Sequence, residues 1–571
     1  MIIVPKERLT EYHQKGWWGE ETLVDLFDRR VAEHPNAEAV VDPINLESIS
    51  GDKPRRLTWR QIKDEVDSLA AVLADHGVRK NSIVLVQLPN SVDLTVSLLA
   101  CMRLGAIVTP ALVQLRLSEL DYIASLTEPT AVITTTRIGK YQPVEWFSEL
   151  QHNRPSLKSI FTFGSADGAD TIDLRALMGS VLAGEAPGAP KCPAREEFTA
   201  DEVATICWTS GTEAQPKGVP RSHNQWIIMG QGIISAAGLE KGMCLLNPFP
   251  MVNMAGIATG FATWLLLGGK LVQHHPFDLP VMLQQIREEN VDYTVAPPAI
   301  LNQWLHDPDL IEGVDFARLK RIGSGSAPLS EWMIRTFHER YGVEIINYFA
   351  SNEGCAIAAT PADIPDPALR ASLFPRMGAD GLKWKYLLSD RVFTRLVDPL
   401  DGKELKDAGA IGELHVRGPS IFDGYWKDPE RTANVLDDQG WYRTGDLFEI
   451  AGDQRQYYRY SGRLKDIVVR GGVKISAEEL ECHLVGHALV SEAAVIGVPD
   501  SILGERICAC IVPVADAKPT LEDLNRFLIE DKKVAPFKRI ERLRFHETLP
   551  RNVLGKILKR ELRALYREDQ Q

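Results

Sequence analysis

Residues 208–224 read WTSGTEAQPKGVPRSHN, a run of hydroxyl and small residues closed by Pro216-Lys217-Gly218. The apolar residues just before it, 203–208, predict a strand that opens into a loop. Such a loop can turn several backbone N–H groups toward one anion. Thr209, Ser210, Gly211, Thr212 and Lys217 offer the donors and the cation a polyphosphate needs. It is not a Walker A loop, because no glycine precedes Lys217 at the required position. Glu213, in the middle of the run, is out of character. At about 5 Å and an effective dielectric near 20, a carboxylate repels each unit of phosphate charge by roughly 3 kcal/mol before screening. Only an outward-facing Glu213 would be harmless.

The elements that must carry this loop follow an α/β rhythm. Thr58 and Gln61 have capping-box spacing, Ile62, Val66, Leu69 and Leu73 share one helical face, and Gly77 ends the helix. SIVLVQL at 82–88 reads as a buried strand, and 92–104 as a second helix closed by Gly105. Repeated through the first 300 or so residues, this order predicts an α/β fold: a large N-terminal domain of several subdomains with largely parallel sheets. Toward the end, SGRLKDIVVRGGVKISAEELECHL joins a turn, a strand, a glycine pair and a helix whose start has Ser476 and Glu479 at capping-box spacing. This predicts a small α+β C-terminal domain over 467–571, a hinge at 463–466 and an N-terminal domain over 1–462.

The chain has 571 residues, 44% of them apolar, and a formal charge of -13, which is the balance of a multi-domain globular protein without a basic face for nucleic acid. GIATGFATWLLLGG at 256–269 is shorter than the roughly 20 residues of a membrane span and reads as a buried helix. No apolar stretch of signal-peptide length begins the sequence, so the expected location is the cytoplasm. Cys508 and Cys510 alternate with apolar residues and are expected on one buried strand face.

Four further stretches follow the loop in order: INYFASNEG (346–354), GELHVRGPSIFDGYW (412–426), WYRTGDL (441–447) and GRLKD (462–466), with Lys556 after them in NVLGK. Together they resemble the adenylate-forming superfamily of acyl-CoA synthetases, aryl-acid adenylating enzymes, peptide-synthetase adenylation domains and beetle luciferase. EYHQKGWWGEETLVDLF, LVQLPNSVDL and RGGVKISAEELE are similar in texture to stand-alone dihydroxybenzoate-activating enzymes and alicyclic-acid CoA ligases. The resemblance covers essentially the whole chain. It implies two half-reactions: a carboxylate attacks the α-phosphate of ATP to give acyl-AMP and pyrophosphate, and a thiol then displaces AMP.

The resemblance also implies roles. Asp446 would accept the ribose hydroxyls, with Arg463 beside the same sugar. Phe349 would stack on adenine, among Tyr348, Ala350, Asn352 and the 326–328 run Ser326, Ala327 and Pro328. Glu353 would be the carboxylate that organises Mg²⁺. Lys556 would reach the acyl carboxylate and α-phosphate, and Lys465 would be the pivot of a C-terminal domain that rotates between the half-reactions. Gly471 and Gly472 would let a pantetheine arm pass close to the backbone.

At the acyl end, Asn253 and Met254 occupy places where relatives carry histidine and, in dihydroxybenzoate enzymes, a phenol-reading asparagine. An apolar Met254 favours a bulky apolar acid, and Gly256, Ser324 and Gly325 are expected to leave it room. Relatives read Ser-Gly-Thr-Thr-Gly in the phosphate loop; here Glu213 and Ala214 replace Thr and Gly, and Asn352 replaces the threonine that faces the α-phosphate. The expected function is therefore an acyl-CoA ligase for alicyclic, polycyclic or aromatic acids, using coenzyme A and acyl-AMP. Its ATP half-reaction would be weak or absent, so that a separate adenylating enzyme supplies the adenylate. The alternatives are a complete ATP- and Mg²⁺-dependent ligase, an enzyme loading a carrier-protein phosphopantetheine, and a retired binding protein.

Proline at the pivot fixes φ near −65° and removes an N–H. Lys465→Pro is expected to cut thioester formation from supplied acyl-AMP sharply while leaving adenylate binding intact. A folded variant with unchanged thioester formation removes Lys465 as the pivot.

Overall fold

The computed structural model describes residues 1–571 except 167–169, 184–196, 210–214, 472, 501, 515–516, 552–556 and 569–571. The described chain forms two compact units. The first takes in Met1–Thr209, Pro216–Phe393 and Arg417–Trp441, and the second takes in Gln215, Thr394–Val416 and Tyr442–Gln571. The boundary expected at 463–466 lies within the second unit.

In the first unit, two sheets are parallel except at their edges. One has seven strands, with Ile83–Val86 flanked by Ile107–Pro110 and Ala131–Thr135 and the order closed at one edge by Val203–Thr209 and Lys217–Ser222. The other has eight, running from Ala356–Ala359 through Glu344–Ala350, Arg321–Gly325, Tyr293–Val295, Leu245–Asn247 and Leu271–Gln273 to Glu38–Val41 and Arg56–Thr58. The capping box at Thr58 and Gln61 starts the helix Trp59–Asp75, which buries Ile62, Val66, Leu69 and Leu73. The apolar segment after residue 253 is helical and buried as expected, but its middle, Ile257–Ala262, is a π-helix. Thr263 Oγ1 donates to the carbonyl of Ala258, five residues back, within that wider turn. Trp264 from this segment stacks on Trp59 with ring centroids 4.6 Å apart. Among the described residues, no helix is long and apolar enough to cross a membrane.

Chain connectivity fixes where loops converge. From Leu245–Asn247 the chain returns as Leu271–Gln273 on one side and as Tyr293–Val295 on the other, so strand order reverses there. Ile83–Val86 is a second such point. Open α/β sheets hold ligands at the carboxyl ends of strands beside these reversals. Buried Asn90, just past Ile83–Val86, stitches the two together: its Nδ2 donates to the Phe249 carbonyl at 2.8 Å and its Oδ1 accepts the Met251 N–H at 2.9 Å.

The second unit is built on antiparallel pairing. Ile411–Arg417, Tyr442–Ala451 and Tyr457–Arg463 form one meander. Val490–Asp500 and Gly504–Pro513 form the spine of a second sheet, which Ile467–Arg470, Val473–Ser476 and Arg542–Phe545 extend. Ser476 caps the helix Ala477–Leu484 by accepting the Glu479 N–H. Cys508 and Cys510 are both buried in an apolar cluster with Ile496, Leu549 and Leu562.

Asp42, at the end of Glu38–Val41, is buried and accepts the N–H groups of Val92 at 2.7 Å and Arg55 at 2.9 Å. Burial, aided by the neighbouring Asp93, pushes its carboxyl up to about 7. The folded chain thus holds a proton that the unfolded chain has already released near pH 4. That contribution to stability is complete at pH below 4 and disappears as pH rises through 7. Melting temperatures of the natural protein and Asp42→Asn, compared from pH 5.5 to 8.5, are expected to show a shallower fall in the variant, by about 1–2 °C. Parallel profiles would contradict it.

Candidate functional site

The phosphate-type loop hangs between two antiparallel strands. Val203–Thr209 enters it, Lys217–Ser222 leaves it, and Thr209 is paired with Lys217 at its base. Ser210, Gly211, Thr212, Glu213 and Ala214 lie outside the described residues. A Cβ at Gly218 would press on Ile206, Trp208 and Trp426, each at 3.1 Å, so glycine keeps the return strand close to its neighbours.

Lys217 Nζ lies 5.1 Å from the ring centroid of Tyr425, within cation–π range. The Tyr425 hydroxyl donates to Glu353 Oε1 at 2.8 Å. Backbone bonds fasten the same segment on both sides: the Trp426 N–H donates to the Gly218 carbonyl and the Phe422 N–H to the Glu353 carbonyl, both at 2.8 Å. Sequence reading singled out Lys217 and Glu353 but not Tyr425. Its only signal was membership of the stretch 412–426, where a tyrosine also reads as core.

Glu344–Ala350 and Arg321–Gly325 are parallel neighbours, with Gly325 opposite Tyr348. The expected nucleotide residues therefore leave the sheet side by side. The hydroxyls of Tyr348 and Tyr293 are 3.1 Å apart, and burial raises the Tyr348 phenol well above its ordinary value. Phe349 is half-buried with its ring edge-on to Phe374 at 6.2 Å. Ala350, Ser326, Ala327 and Pro328 are exposed, and Ser326 adopts a left-handed φ of 71°.

Asn352 Oδ1 accepts the Met254 N–H at 2.7 Å, and Asn253 Oδ1 accepts the Gly256 N–H at 3.2 Å. Asn253 is thus the cap of the short helix Met254–Gly256, with Met254 buried behind it. The small residues expected beside the acid pack closely on backbone. A Cβ on Gly256 would collide with the Pro250 carbonyl, and one on Gly325 with that of Tyr348. Ser324 is buried and donates to the Ala296 carbonyl at 2.8 Å. At the two glycines, the missing side chain lets backbone pack on backbone.

Arg221, on the strand leaving the loop, is fully buried. Burial pushes its guanidinium down to about 10, against the attraction of nearby Asp423 and Glu353 among others. Nη1 reaches the Asn352 carbonyl at 3.5 Å, while Nε and Nη2 find no hydrogen-bond partner among the described residues.

In the second unit, Asp446 and Arg463 face each other across the Tyr442–Ala451 and Tyr457–Arg463 ladder, with Arg463 Nε 3.2 Å from Asp446 Oδ1. A bulge between Leu447 and Phe448 re-aims the strand beside Asp446. Burial alone would push the Arg463 guanidinium down, but Asp446, Tyr460 and Glu478 hold it above its usual value. Gly445, at φ 71°, gives its N–H to Glu413 Oε1 at 2.9 Å. Against the upward push of burial, His415 and that N–H keep the Glu413 carboxyl below its ordinary range. Lys465 is exposed in the turn Leu464–Asp466, which Arg563 ties down through Asp466 at 3.1 Å. Arg470 pairs with Val473, and Gly471, just after Arg470, adopts φ 57°. Gly472 and Lys556 lie outside the described residues.

The AMP-binding enzyme family model matches residues 27–426, and the model of the AMP-binding enzyme C-terminal domain matches 479–556. The chain is 29% identical over 561 residues to the 2-hydroxy-7-methoxy-5-methyl-1-naphthoate–CoA ligase of Streptomyces carzinostaticus, covering 98% of this chain and 96% of that protein. It is 30% identical over 517 residues to 4-coumarate–CoA ligase-like 2 of Arabidopsis thaliana, covering 90% and 86%. ATP-bound MatB from Rhodopseudomonas palustris superposes with a TM-score of 0.77 at 25% identity, covering 96% of this chain and 100% of that one. With both family models matched in order and the motif residues on the strand ends and turns described above, the chain belongs to the AMP-binding enzyme family, as an acyl-CoA synthetase of the adenylate-forming superfamily.

Proposed function

We propose that this chain makes the CoA thioester of a bulky, largely apolar carboxylic acid and carries out both half-reactions. The observation that carries the reading is the bond from the Met254 N–H to Asn352. It joins the segment expected at the acid to the segment expected at the nucleotide, which adenylation requires, because the carboxylate must meet the α-phosphate. Met254 offers no polar group to a ring substituent. The naphthoate-activating relative supports an acid of two fused rings or similar width.

Lys217 and Glu353 would serve the polyphosphate. Glu353 fits a magnesium ion: it is a buried hard-oxygen ligand whose Oε2 makes no hydrogen bond among the described residues. Bound there with the nucleotide, the ion would neutralise charge on the departing pyrophosphate. Phe349 and Tyr348, with Ala350 and the 326–328 turn, would flank adenine. Asp446 would take the ribose hydroxyls, oriented by Arg463 at 3.2 Å. Lys556 would stabilise charge at the acyl carboxylate during adenylation, and rotation at Lys465 would then exchange it for the segment that carries Gly471 and Gly472 as the thiol enters.

A second reading rests on Glu213, Ala214 and Asn352: the protein performs thiol transfer on acyl-AMP made by a separate enzyme. Incubating the protein with a panel of bulky acids, ATP and free CoA, and in parallel with their synthetic adenylates and CoA, separates the two. Acid-dependent pyrophosphate release with thioester from the free acid is expected. Thioester from adenylates alone, together with a gain of pyrophosphate release in Glu213→Thr with Ala214→Gly, would establish the second reading instead. No thioester on free CoA in either arm would point to a carrier-protein thiol.

For Asp446→Ala, the loss of hydrogen bonds to a charged partner, each typically roughly 1.5–3 kcal/mol, is expected to weaken adenylate binding by at least about tenfold. Calorimetry giving equal affinity in a folded variant would place the ribose elsewhere.

A further inference from the structure

We propose that Tyr425 is a positioning residue that holds the Glu353 carboxylate away from Arg221 and so keeps one of its oxygens open to a divalent cation. The inference rests on the reading of Glu353 as the magnesium-organising carboxylate.

Glu353 has two competitors for its charge. One is the Tyr425 hydroxyl, which donates to Oε1 at 2.8 Å. The other is Arg221, a fully buried cation that attracts Glu353 and whose Nε and Nη2 lack hydrogen-bond partners among the described residues. A buried guanidinium with unpaired N–H groups is a strong trap for a nearby carboxylate, because charge-assisted pairs strengthen where water is excluded. A carboxylate paired with Arg221 would present its lone pairs to the guanidinium and offer little to a metal. The phenol bond fixes the opposite outcome, since it pins Oε1 and leaves Oε2 open.

Tyr425 can do this because its own segment is fixed on several sides. The Tyr425 N–H donates to Thr432 Oγ1 at 2.9 Å, and Asp423, two residues earlier, is paired with Arg8 at 3.1 Å and accepts from Gln225 at 3.0 Å. Gly354, at φ 99°, lies so close to the Ser420 carbonyl that a Cβ there would collide with it. The segment therefore cannot drift away from the carboxylate. Lys217 above the same ring makes Tyr425 the element common to both expected polyphosphate partners.

Tyr425→Phe removes the hydroxyl and keeps the ring beneath Lys217. Binding of Mn²⁺ to the ATP complex, followed by electron paramagnetic resonance, is expected to weaken by at least about tenfold, the loss anticipated for one hydrogen bond to a charged group. The Mg²⁺ concentration for half-maximal pyrophosphate release should rise in step. CoA transfer from supplied acyl-AMP, which releases no pyrophosphate, should be unchanged. Tyr425→Leu should additionally raise the KM for ATP. Unchanged Mn²⁺ affinity and Mg²⁺ dependence in a folded Tyr425→Phe protein would overturn the inference and leave the ligase reading standing. An unmodified protein that releases no pyrophosphate but binds Mn²⁺–ATP more tightly than Tyr425→Phe would overturn the two-step reading alone. Failure of the unmodified protein to bind Mn²⁺ with ATP would overturn both.

Discussion

A parallel sheet ends all its strands on one edge, and that constraint organises the first unit. Leu245–Asn247, Arg321–Gly325 and Glu344–Ala350 run the same way, so whatever follows them must gather at one rim. The rim becomes a usable site because polar side chains tie the emerging segments together where no ladder can. Asn90 clamps 249–251 and Asn352 holds Met254. Each is a single carboxamide bonding to backbone, which fixes a loop without a long side chain to order.

The second unit meets a similar need by different means. In an antiparallel meander, opposed residues on neighbouring strands are brought face to face, so Asp446 and Arg463 can meet although 17 positions separate them. The Asp446 carboxylate is buried, and Arg463 stabilises it there; Gly445, fixed by Glu413, sets the backbone just before it. A carboxylate held this way has little freedom left to lose on binding a ligand, which is the physical sense of preorganisation.

Much of this was legible in the sequence, for reasons that are local. The caps at Thr58 and Ser476 depend on neighbours three residues away, and the strand at Val203–Thr209 on its own apolar run. What was missed depends on contacts distant in sequence. That residues 394–416 belong with the second unit follows from pairing of Glu413 with Leu447 and of Val416 with Tyr442. That backbone carbonyls stand where a Cβ on Gly256 or Gly325 would lie cannot be read from the residue type, because those carbonyls come from other segments. Tyr425 was passed over because the proton acceptor that gives it a task, Glu353, lies 72 positions away.

Two departures from the pattern of relatives turn out to be one physical unit. Met254 puts an apolar side chain at the place expected to face the acid, and Asn352 stands where a threonine is expected beside the nucleotide. A threonine hydroxyl is shorter than a carboxamide, whereas Asn352 reaches the Met254 N–H at 2.7 Å. That N–H belongs to the first turn of a helix, where backbone donors have no partner within the helix and need one from elsewhere. Asn253 serves the Gly256 N–H and Asn352 serves Met254, so the helix start is capped by residues from both segments. Replacing Asn352 by a residue too short to reach would leave that donor unsatisfied, whereas replacing the Met254 side chain keeps the N–H and its bond. The segments that carry Met254 and Asn352 are therefore joined through the backbone of one and the side chain of the other, and the Met254 side chain can change without loss of the bond that holds them together.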